Sequence, residues 1–161
     1  MEPPPEVVRL VCKKRKTPPE QDTVTILCGE RTWVFKAWDQ GILPHELVHY
    51  GVEAAYGLRG FVRLIAAGLT SEAILEGAAD EEALHTELLT NAHQYELGGF
   101  SEPDNRAFRE LLACFQGKGA TRPPEVSDDE ISRGRDFLRD LAGRWAGLGF
   151  GESLELSLPL R

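Results

Sequence analysis

Along residues 7–11 and 23–37, β-branched and aromatic residues dominate, and Val24, Ile26, Trp33 and Phe35 recur at alternate positions. A period of two sends successive side chains to opposite faces, so these stretches predict half-buried strands, with Gly29 and Glu30 turning the chain between two of them. From Pro44 the period changes. Leu47, Val48, Val52, Ala55 and Tyr56 recur at intervals of three and four, which predicts a helix with one buried face. Pro44 suits a helix start, Gly51 lowers helix propensity within the segment, and Gly57 and Gly60 mark its end.

Residues 61–67 then read as a short apolar helix, followed by helical segments at 71–76, at 80–97 closed by Gly98 and Gly99, and at 103–115. Residues 117–124 have loop composition, and a mobile loop is expected over 117–126. Ser127 followed by Glu130 forms a capping-box pattern and starts a predicted helix over 128–146. At the end of the chain Leu154, Leu156, Leu158 and Leu160 alternate with Ser153, Glu155, Ser157 and Pro159, the pattern of a strand with one buried face. That strand needs partners, and the early strands need a larger sheet. The expected fold is therefore α+β: a small antiparallel sheet of the N-terminal strands plus the C-terminal strand, packed on a cluster of about five helices in a single domain, 1–161.

Composition narrows the function. With 161 residues the chain is long enough to bury a core unaided. Its 18 Lys and Arg against 26 Asp and Glu give a net charge of -8, which repels phosphate backbones and anionic lipid, so neither nucleic acid nor membrane is an expected partner. The basic run from Lys13 to Lys16 reads as a solvated loop in that acidic context, and Trp33, Trp38 and Trp145 as core or edge anchors. Cys12, Cys28 and Cys114 are odd in number and widely spaced, which points to thiols in a reducing compartment. Pro3, Pro4 and Pro5 stand where a signal peptide would be apolar, so a cytoplasmic location is expected. Oligomeric state is not readable.

One stretch carries specific chemistry. His45 and His49 stand at i and i+4, one turn apart on the same helical face, where two imidazoles can converge on one metal ion, and Glu46 lies beside them. Two imidazoles and one further donor are the set that binds zinc, which lowers the pKa of a bound water towards neutrality, with Glu46 as catalytic general base. The competing reading is structural. A glutamate just after Pro44 favours the positive end of the helix and caps free N–H groups, and the two histidines are then hydrogen-bonded residues of a ligand- or protein-binding domain with no enzymatic role. Glu53, at i+8 from His45, is about 12 Å along the axis, too far to share the ion, and reads as a supporting or salt-bridging residue.

The segment from Ile42 to Gly51, with His45-Glu46-Leu47-Val48-His49 at its centre, resembles zinc metallopeptidases of the zincin class. Downstream, Leu75-Glu76-Gly77-Ala78 is similar to the stretch in which gluzincins supply a glutamate ligand from a second helix. The resemblance spans about 35 residues and implies a peptidase-like zinc hydrolase acting on a peptide or small molecule, with His45, His49 and Glu76 on zinc and Asp80 orienting a histidine. His85 and His93 are the alternative third donors. The same segment also resembles small bacterial proteins with Leu-Pro-His-Asp in place of Leu-Pro-His-Glu, a kinship in which Glu46 need not be a base.

Overall fold

The computed structural model describes residues 7–15, 22–37, 42–75, 80–116 and 122–160. Trp38, Glu76 and residues 117–121 of the expected loop fall outside them. Four strands, β1 (Val7–Lys13), β2 (Thr23–Cys28), β3 (Arg31–Lys36) and β4 (Ser153–Pro159), form one antiparallel sheet in the order β3-β2-β1-β4. The terminal strand returns to pair with the first, as its alternation requires. Val8 stands opposite Leu158, Leu10 opposite Leu156 and Cys12 opposite Leu154. Leu10 also faces Ile26, which in turn faces Trp33 in β3. These rows cross the whole sheet on one side, and each contact between β-branched, aromatic or leucine side chains stabilises the register. Shifting any strand by one residue would turn its apolar row to solvent.

The described residues form six helices beside the sheet: α1 (His45–Tyr56), α2 (Phe61–Ala66), α3 (Ser71–Leu75), α4 (Glu81–Leu97), α5 (Asn105–Gln116) and α6 (Asp128–Ala146). The sequence predicts each of them, with α3 contributing a single short turn. Ser127 accepts from the Glu130 N–H and the Glu130 carboxylate accepts from the Ser127 N–H, so the capping box forms as read. None of the described helices is long and apolar enough to cross a membrane.

α1 is the central helix, packed against α4 and α6. Its residues Leu47 to Glu53 are all buried, polar ones included. Gly51 does not end the helix. A Cβ there would stand 2.3 Å from Leu138 Cδ2, so the missing side chain lets α6 lie closely against α1.

Charged groups inside this core are held by backbone. Glu53 is fully buried and its carboxylate accepts from the N–H groups of Gly60 (3.0 Å), Val62 (2.8 Å) and Arg63 (3.0 Å), the free donors at the start of α2. Arg63 donates in turn to the carbonyls of Glu53, Leu58 and Pro159, tying α1, α2 and β4 together. Glu53 thus anchors the turn between two helices rather than supporting a metal.

His93, in α4, is buried between Phe108 and Tyr56, whose hydroxyl shares a hydrogen bond of 2.6 Å with Nε2. Burial, with the Arg135 charge beside it, pushes this imidazole down to about 3. The folded protein therefore keeps His93 neutral where the unfolded chain takes up a proton below about pH 6.5. Stability is expected to fall as pH drops from there towards 3, by at most about 1.4 kcal/mol per pH unit from this residue. His93→Gln should flatten that part of a urea-unfolding profile; an unchanged slope would contradict the assignment.

Candidate metal centre

The polar groups of α1 that matter for chemistry face α4. His45 and His49, one turn apart, bring their Nε2 atoms to 3.1 Å, with ring planes crossed at 88°. From α4, Glu87 places Oε2 3.1 Å from His49 Nε2 and Oε1 4.0 Å from His45 Nε2. Donor atoms of these three residues all lie within 4.8 Å of one another, and the group can hold a metal ion. Bonds of 2.0–2.1 Å in a tetrahedral zinc site put neighbouring donors about 3.3 Å apart, which the observed separations bracket.

Two further residues of α4 fix the rings. Gln94 Oε1 accepts from His45 Nδ1 at 2.5 Å. Thr90 donates its hydroxyl proton to the Thr86 carbonyl at 2.7 Å, which leaves its oxygen lone pairs for an N–H at His49 Nδ1, 3.4 Å away. Each Nδ1 is thereby occupied as a donor, and in the neutral rings both Nε2 lone pairs point into the shared space. Lone pairs facing one another at 3.1 Å repel, and a cation between them turns that repulsion into attraction. Burial alone would raise the Glu87 carboxyl; in the metal-free protein with protonated rings, a hydrogen bond from His49 and the charges of His49 and His45 outweigh it and hold the carboxyl below the usual carboxylate range. Glu87 is thus an anion at neutral pH, ready to face a cation.

The group is closed on one side and open on the other. His49 is buried at 4% exposure with its ring against Phe61, whereas the side chains of His45 and Glu87 are 27% and 49% exposed. Three protein donors with a solvent-facing side differ from the four protein donors of a closed structural zinc site.

Other residues singled out in the sequence go elsewhere. Asp80 is the N-cap of α4, accepting from the Ala83 N–H, and pairs with Arg59. His85 contacts the Arg122 carbonyl and Glu81 at the surface. Neither joins the His45–His49 face, nor does His93. Glu46 turns to the adjacent side of α1, about 100° round the helix from His45. Its charge reaches Cys12, whose thiol is pushed up to about 12, first by burial and then by Glu46. Glu46 Oε2 is buried with no hydrogen-bond partner, and Pro44, the residue before the helix, makes no side-chain cap.

Glu87 is the candidate metal donor that sequence reasoning missed. The available signal was the polar series Glu87, Thr90 and Gln94, at i, i+3 and i+7 on one face of α4. No family model, curated protein or solved structure matches the chain.

Proposed function

We propose that this chain is a zinc-dependent hydrolase whose ion is held by His45, His49 and Glu87, with water in the fourth position. The observation that carries the reading is the convergence of two oriented Nε2 atoms and an ionised carboxylate on one partly open space. Zinc is the preferred occupant because two imidazoles and a carboxylate suit it, and because it outcompetes Mn²⁺ and Fe²⁺ at nitrogen and oxygen donors of this kind. The ion would bring its water to a pKa of about 7, supplying hydroxide at neutral pH for attack on a carbonyl. Glu46 is the proposed base on its place beside His45 in the sequence pattern; its Oε2 is buried without a hydrogen-bond partner among the described residues, an acceptor that costs about 1–3 kcal/mol unless a water satisfies it.

A second reading has one observation in its favour. The 3.1 Å contact of His49 with Glu87 can clamp α1 to α4 as an ion pair without any metal, in a domain that only binds partners.

One assay separates the two. Chelator-stripped protein should be inert towards an activated acyl ester and regain turnover with about one zinc per chain. Glu46→Gln should keep the zinc and lose turnover by roughly 10²–10⁴-fold, the range for a general base. Turnover that ignores the chelator, or protein that takes up no zinc, would leave the metal-free clamp. Glu46→Gln with full turnover would remove the base assignment.

A further inference from the structure

Directly beside the metal centre runs a groove of about 490 Å³, and the two share a wall. Gln94, whose Oε1 holds His45 Nδ1, also lines the groove and so belongs to both. Asn91 continues the same wall along α4 with a second amide. The remaining surface is apolar and aromatic: Ile42, Tyr95, Phe100 and Phe115. Ile42 is 52% exposed and Phe100 72%. Large apolar side chains left in water at the rim of a concave, polar-edged site mark a place where another apolar group is received.

The aromatic wall is built and supported. The Tyr95 ring packs on Phe100 at 5.1 Å between centroids and on Phe115 at 6.0 Å in an edge-on arrangement. Gly98 closes the helix beneath them, and a Cβ there would come within 3.0 Å of the Phe100 ring, so glycine is what lets Phe100 lie across the end of α4. Among the described residues no charged side chain lines the groove, so a charged occupant would find none of them to replace the water removed from its charge. Asn91, on the metal side, carries an amide with both a donor and an acceptor, the complement of a carbonyl or amide group.

We infer that this groove is the specificity pocket of the site, taking an uncharged aromatic or branched aliphatic side chain attached to the carbonyl compound whose oxygen approaches the ion at His45, His49 and Glu87. The inference rests on the metal-centre reading and adds the substrate class to it. The volume fits one such side chain with room for its neighbouring amide. Free carboxylates and phosphates are disfavoured twice, by the uncharged lining and by the acidic chain.

Hydroxamates of two lengths test the pocket on the zinc-loaded full chain. Acetohydroxamate reaches the ion alone, whereas the hydroxamate of 3-phenylpropanoic acid carries a phenyl group into the groove. The phenyl compound should bind at least about 10-fold more tightly, since burying a ring contributes more than the 1.4 kcal/mol that a factor of ten requires. Phe100→Ala, at an exposed position, should reduce that advantage to below about 3-fold while zinc content and acetohydroxamate affinity stay unchanged. Ile42→Asp, which sets a charge at the rim, should do the same by a different route. Equal affinities for the two hydroxamates, untouched by either substitution, would overturn the pocket and leave the metal centre standing. A zinc-loaded chain that binds neither compound, or a chain that takes no zinc, would overturn the metal centre and the pocket with it.

Discussion

Replacing His49 by alanine is expected to remove the metal. Purified wild-type protein should carry about one zinc per chain, and the variant should retain less than about a tenth of that after dialysis. The expectation follows from position: His49 is the most buried donor, and its Nε2 stands 3.1 Å from both His45 and Glu87. His49→Gln, which refills most of the volume, should fail to bind in the same way and shows that the loss is not one of folding. A graded series should accompany it. Thr90→Val and Gln94→Leu remove the hydrogen bonds that orient the rings while leaving the three donors in place, and should weaken zinc by roughly 10–100-fold without abolishing it, as expected for groups that act through a ligand. Metal content that ignores His49 would contradict the site.

The largest effect on folding is expected at Glu53. Glu53→Ala leaves three buried backbone N–H groups at the start of α2 without an acceptor, and takes the negative charge away from Arg63. Each orphaned donor costs about 1–3 kcal/mol, and the loss should total about 3–5 kcal/mol, a large share of the stability of an ordinary domain. Burial pushes the Glu53 carboxyl up, against the lowering by the Arg63, Val62 and Gly60 N–H groups and the His49 charge. A neutral acceptor therefore serves in part, and Glu53→Gln should recover some of the stability. Urea unfolding should show the midpoint falling with an unchanged slope. A shift below about 1 kcal/mol for Glu53→Ala would contradict the anchoring role.

The elements of the fold were legible because each carries its own periodicity. Alternation in residues 153–160 predicted β4 and its return to the sheet, and the spacing of Leu47, Val48 and Val52 predicted α1. Turn chemistry was equally local: the bend after Cys28 occurs at Gly29, where φ is 62°, and the end of α1 occurs at Gly57, where φ is 66°. Pairings between distant elements are another matter. His45 and His49 were readable as a pair because four residues on one helix fix their relation. Glu87 comes from a helix 38 positions beyond His49, and only the packing of α1 against α4 selects it from the other acidic residues. Nothing in the spacing of the chain states which helix lies beside α1.

The same limit explains Glu53. Its distance from His45 along the helix set it apart from the His45–His49 pair, but its role depends on a tight return of the chain over residues 57–60, which brings the start of α2 back to it. Polar residues inside α4 hid that helix's faces as well, because Thr86, Thr90, His93 and Glu96 are all buried and interrupt the apolar pattern. The cost of burying them is offset by hydrogen bonds: Thr86 and Thr90 to carbonyls one turn back, Glu96 to Arg135.

X-ray absorption at the zinc edge reads the coordination shell of the loaded protein most directly. Two imidazoles and one carboxylate at 2.0–2.2 Å, with one light oxygen atom more, are the predicted shell, and Glu87→Gln should alter the oxygen contribution while both imidazoles remain. A shell with one imidazole or none, or one that Glu87→Gln leaves identical, would contradict the centre described here.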